Sequence, residues 1–101
     1  MKRLKSIRLN GSKPGVLDSR MTWSETGVYS NFINQDEFIE LENYCKKHNF
    51  NLDDLYESLD RLNLLGYCYF FREKNLYLLF NEPVDIRYAE TEYRKLKESI
   101  K

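Results

Sequence analysis

The sequence predicts an α+β fold: a helical body closed by a β-hairpin, with one further helix behind it. Three observations carry this. Leu52, Leu55, Leu59 and Leu62 recur at helical spacing and stop at Gly66. Residues 67–71 (YCYFF) and 76–80 (LYLLF) then read as two aromatic-rich strands around the polar turn REKN. Upstream, Phe38, Leu41 and Cys45 recur at i, i+3 and i+7, with Ile39 widening the stripe, so another helix precedes the leucine helix and joins it through Asn49-Phe50-Asn51.

The elements follow in chain order. Residues 1–20 hold six basic residues and one acid and are expected as a basic N-terminal arm. Within it Leu4, Ile7 and Leu9 fit a short strand, and NGSKPG is a turn cluster. Thr22-Trp-Ser-Glu25 has the capping-box pattern, in which hydroxyl and carboxylate each satisfy an orphan amide. It opens a helix to about Ile33, with Trp23, Tyr29, Phe32 and Ile33 as core candidates. Gly27 inside that helix costs about 1 kcal/mol against Ala. Asn34-Gln-Asp-Glu37 is a second cap, and Lys46, Lys47 and His48 suit the carbonyl end of the helix it starts. Asn51 caps the leucine helix, Asp53 and Asp54 suit its positive end, and Gly66 tolerates the positive φ of a helix stop.

In the hairpin, Tyr67, Tyr69 and Phe71 fall on one face and Cys68 and Phe70 on the other. Both faces are apolar, so one meets the helices and the other meets something further. Asn81-Glu-Pro83 breaks the sheet. A last helix runs from about residue 84 to 99, with Ile86, Ala89, Tyr93, Leu96 and Ile100 spaced 3-4-3-4. This heptad seam is either a homodimer interface or a stripe that packs back on its own domain. The expected organisation is therefore an arm over 1–20, a core domain over 21–82 and a candidate dimerisation helix over 83–101.

Composition narrows the function classes. A chain of 101 residues is one domain with one core, and 42% hydrophobic with 32% charged residues is ordinary for a globular protein. No apolar run approaches the roughly 18 residues a membrane span needs, and the basic N-terminus lacks the apolar segment of a signal peptide. A cytoplasmic protein is expected, with Cys45 and Cys68 as buried thiols. A single Ala beside eight Tyr and abundant Asn and Lys fits AT-rich coding, as in a low-GC bacterium or one of its phages or plasmids. The formal charge is zero but uneven: net +5 over residues 1–20, −6 over 21–66 and +1 over 67–101.

The run FIELENYCKKHNFNLDDLYESLDRLNLLGYCYFF resembles the winged helix-turn-helix superfamily, and the likeness extends over residues 21–80. Leu41 and Cys45 match the packing positions of that family's supporting helix. Leu55, Leu59 and Leu62 match those of its recognition helix, and Leu65-Gly66-Tyr67 matches the step into its wing. The resemblance implies three helices plus a β-hairpin wing, with an additional C-terminal helix, and binding to double-stranded DNA. The appended helix is similar to those through which some winged-helix repressors and replication-terminator-like proteins dimerise. The departure lies on the recognition helix, whose outer face carries Asp53, Asp54, Glu57 and Asp60, with only Ser58, Arg61 and Asn63 as donors. Carboxylates facing a duplex are repelled by its phosphates.

Candidate sites follow. There is no nucleophile motif, no glycine-rich phosphate loop and no second pair of metal ligands to complement Cys45 and His48, so neither catalysis, nor a metal, nor a cofactor is expected. For DNA the candidates are Lys2, Arg3, Lys5, Arg8 and Lys13 of the arm, Arg61, and Arg72 and Lys74 at the wing tip. The expected function is a small DNA-binding regulator or replication accessory factor. The alternative is a phage or plasmid modulator that binds a host protein through Asp53, Asp54, Glu57, Asp60, Tyr69 and Phe71.

Overall fold

The computed structural model describes residues 2–9, 19–35 and 37–98. Lys13 and Ile100, expected in the DNA-binding and dimer sets, lie outside the described residues. The elements are β1 (Arg3–Ile7), α1 (Trp23–Phe32), β2 (Ile39–Glu40), α2 (Leu41–His48), α3 (Leu52–Leu64), β3 (Cys68–Phe71), a 3-10 turn (Arg72–Lys74), β4 (Leu76–Phe80) and α4 (Ile86–Lys97). The result is an α+β globule with a four-stranded sheet in the order β2-β1-β4-β3. β1 runs parallel to β4 and antiparallel to β2, and β3 pairs antiparallel with β4.

The sheet is packed on both faces. Leu4, Cys68, Tyr77 and Leu79 meet Val28, Tyr29 and Phe32 of α1, Leu41 and Cys45 of α2, and Leu55, Leu59 and Leu62 of α3. On the reverse face Leu76, Leu78 and Phe80 meet Ala89 and Tyr93 of α4, with Tyr69, Phe71 and Leu96 packed alongside. All five residues of β4 are buried, the pattern of a strand covered on both sides. The surface that covers the second face of the hairpin is thus α4 of the same chain. The expected dimer seam is correspondingly taken up within the molecule at Ala89, Tyr93 and Leu96, while Ile86 stays 48% exposed.

The N-terminal segment corrects the expectation of an arm, because its residues 3–7 are a strand inside the sheet. Leu4 is fully buried opposite Tyr77, and the Ser6 hydroxyl donates to the Phe32 carbonyl. Flanked on both sides, β1 has neighbours for its backbone groups along both edges. It also moves the start of α2. Residues 39–40 pair with β1, and the Leu41 amide donates to the Lys2 carbonyl at 3.1 Å, so α2 begins at Leu41 rather than Phe38. Phe38 is left 37% exposed.

Trp23 corrects a second expectation: it is 93% exposed. Glu25, Val28, Tyr29 and Phe32 form the inward face of α1, and at about 3.6 residues per turn Trp23 falls on the opposite side. The Thr22 hydroxyl makes no cap, and Glu25 points into the protein. Phe32, Leu41, Leu55, Leu59, Leu62 and Tyr67 are buried in one core as expected. Asn51 caps α3 through its side-chain oxygen, which accepts from the Asp53 and Asp54 amides at 2.9 and 3.2 Å.

Candidate nucleic-acid interface

The cations foreseen in the sequence are sorted by β1. Its register places Arg3 beside Leu76, and the Arg3 amide donates to the Asn75 carbonyl at 2.8 Å. The start of β1 therefore lies against the turn that carries Arg72 and Lys74. Lys2 and Arg3 join these two at one end of the sheet, and Lys97 joins them from the last turn of α4. Arg8 lies past the other end of β1, about 16 Å from Arg3 by strand rise. Arg61 is on α3, apart from both.

Aromatic rings hold the strand cations in place. The Lys2 ammonium lies 4.5 Å from the Tyr56 ring centre and 5.2 Å from that of Phe70. Arg3 and Lys5 flank Phe38, at 5.4 and 5.7 Å from its ring centre. These are cation–π distances, and they order long side chains while leaving their charge in place. Carboxylates temper this end. Glu40 stands opposite Arg3 in the β1–β2 register, and Glu73 binds Lys97 at 2.8 Å. The Lys97 hydrogen bond holds the Glu73 carboxyl below its usual range, and Glu73 in turn raises the Lys97 ammonium. The Phe71 and Tyr93 rings stack at 4.3 Å, so the turn is tied to α4 by a ring pair and an ion pair. Lys97 was not foreseen as a site residue, because only the packing of α4 brings it to the turn.

The outer face of α3 has little left with which to read bases. Ser58 is buried. The Asn63 amide nitrogen donates to the Cys68 carbonyl at 2.6 Å. Arg61 binds Glu57 at 3.1 Å and lies 4.0 Å from Glu25. Asp53, Asp54, Glu57 and Asp60 are exposed.

For the alternative protein-binding set, the structure separates what the sequence grouped. The four carboxylates face solvent on α3, but Tyr69 and Phe71 are half-buried on the opposite side of the sheet. Phe71 lies against Tyr93, and the Tyr69 hydroxyl donates to the Val84 carbonyl. They form no common surface with the α3 acids, because Tyr69 and Phe71 of β3 face α4; Tyr67, expected on the same face, precedes the strand and is buried on the helix side instead. Cys45 and Cys68 are free and buried, and burial pushes both thiols up. Among the described residues no group of three or more His, Cys, Asp or Glu could hold a metal ion, and no helix is long and apolar enough to cross a membrane. Comparison of the chain with protein-family models, curated proteins and solved structures finds no match.

Proposed function

We propose that the chain is a winged-helix DNA-binding protein, a transcriptional regulator or replication accessory factor, that grips duplex phosphates through the basic end of its sheet. The observation that carries this is the parallel pairing of β1 with β4, which brings the Arg3 backbone against Asn75, at the end of the turn that carries Arg72 and Lys74, with Lys2 one residue before it. The order α1, β2, α2, α3, β3, β4 follows the winged-helix pattern, with the β3–β4 turn as the wing. Two features add to that pattern: β1 lies between β2 and β4, and α4 backs the sheet. Cations on a strand and a tight turn suit backbone contact, which positions a protein on DNA without reading sequence. The acidic α3, its donors already engaged, favours such a mode over base readout.

The test is a titration of a short duplex at several salt concentrations. Affinity is expected to fall steeply with salt. Arg3→Gln, Arg72→Gln and Lys74→Gln should each flatten the log–log slope by about one unit. Absence of binding at low salt, or a slope that the triple variant leaves unchanged, overturns the reading.

A further inference from the structure

A groove of ≈ 340 Å³ lies between α1 and α3, lined among others by Trp23, Gly27, Phe50, Asp54, Glu57 and Arg61. It is on the opposite flank of α3 from Tyr56, the residue that holds Lys2. Its apolar walls are open to water: Trp23 is 93% exposed and Phe50 46%. Single exposed apolar residues are ordinary, but an uncovered indole beside a half-open phenyl on one groove is not. Space is also free above the backbone, since a Cβ at Gly27 would meet nothing within 4 Å.

The electrostatics select the occupant. Asp54 and Glu57 are exposed at the groove, and Asp53 and Asp60 extend the negative face of α3. The groove's own cation, Arg61, is already engaged by Glu57. Behind it sits Glu25, 3% exposed, whose Oε2 has no hydrogen-bond partner among the described residues and only Arg61 Nη1 at 4.0 Å. A buried carboxylate oxygen left in that state favours further positive charge nearby. A polyanion is repelled by this surface, whereas a cationic and apolar segment meets complementary groups throughout.

We propose that the α1–α3 groove docks a basic amphipathic peptide segment of another protein. Its apolar side chains lie against Trp23 and Phe50, and its Lys or Arg side chains lie against Asp54, Glu57 and the indole face. This surface is separate from the basic end of the sheet, so the inference stands independently of DNA binding.

Trp23 is the chain's single tryptophan, so its emission reports on the groove. The probes are a synthetic amphipathic helix of Leu and Lys and its Leu and Glu counterpart. The Leu–Lys peptide should shift Trp23 emission to the blue in a saturable titration, and the Leu–Glu peptide should not. Gly27→Leu fills the groove while improving helix propensity, so the variant should melt no lower than the parent yet bind at least about tenfold more weakly. Asp54→Asn with Glu57→Gln should weaken binding in the same direction. The proposal is overturned by the absence of a shift, by an equal response to the Leu–Glu peptide, or by undiminished binding to Gly27→Leu. A shift that grows with protein concentration alone assigns the groove to a second copy and also overturns it.

Discussion

Tyr77 is 5% exposed, with the Phe70 and Tyr56 ring centres 4.6 and 6.3 Å away, and burial pushes its phenol up to about 12, with Asp60 adding to the rise. The folded protein keeps a proton that the unfolded chain releases above pH 10, the ordinary value. The unfolded state then binds fewer protons, so stability falls as pH rises from about 10 to about 12. Tyr77→Phe should remove its share of that alkaline loss, read as a smaller drop in the urea midpoint between neutral and strongly alkaline buffer. An unchanged drop would count against the assignment. Gly66 meets a backbone constraint at the end of α3. Its φ is +89°, its carbonyl accepts from the Val84 amide at 3.0 Å, and a Cβ would lie 3.4 Å from the Val84 oxygen. Gly66→Ala should cost about 1–2 kcal/mol, mostly from the positive φ, and lower the urea midpoint at unchanged slope.

β1 and α4 are the two elements whose roles change most between chain and fold. As part of a solvated arm, Leu4 could be truncated at a cost within about 0.5 kcal/mol. Fully buried beside Tyr77, it should cost about 2–5 kcal/mol as Leu4→Ala, measured by equilibrium unfolding. α4 is held by the Phe71–Tyr93 stack, the buried Ala89 and the Lys97–Glu73 ion pair. The ion pair is exposed and is worth little beside the ring stack. Because the heptad seam is occupied by the chain's own sheet, sedimentation at micromolar concentration should give a monomer. A stable dimer that Tyr93→Ala abolishes while the monomer stays folded would show the opposite.

Across the molecule, charge divides into a basic sheet end and an acidic α3, although the sum is zero. The two proposed surfaces therefore respond in opposite directions to one variant. Asp53→Asn, Asp54→Asn, Glu57→Gln and Asp60→Asn together remove repulsion from phosphate, so DNA binding should be unchanged or tighter. The same variant should weaken the Leu–Lys peptide, mainly by slowing association, because complementary charge steers encounter. A large gain in DNA affinity would place the duplex near α3, and weaker DNA binding would overturn the repulsive role given to these carboxylates. An undiminished peptide response would remove the carboxylates from the groove site.

The elements that rest on neighbouring residues could be read from the chain. The leucine spacing of α3, the Asn51 cap, the Gly66 stop and the turn of the hairpin each depend on contacts within a few positions, so the local pattern carries them. The leading cations could be named for the same reason. Tertiary structure alone decided where these pieces stand. Parallel pairing of β1 with β4 joins residues more than seventy positions apart, and nothing in Arg3–Ile7 names its partner strand. That pairing turns an arm into a sheet strand, brings Lys2 and Arg3 to the hairpin turn and shortens α2. The packing of α4 likewise covers Tyr69 and Phe71 and brings Lys97 to Glu73. Trp23 reads as core in the sequence because it is a large aromatic, whereas the rotation of α1 is set by Val28, Tyr29 and Phe32 acting together and leaves it exposed. Local patterns select an element's type and its apolar stripe; which stripe meets which surface depends on burial summed over the whole fold.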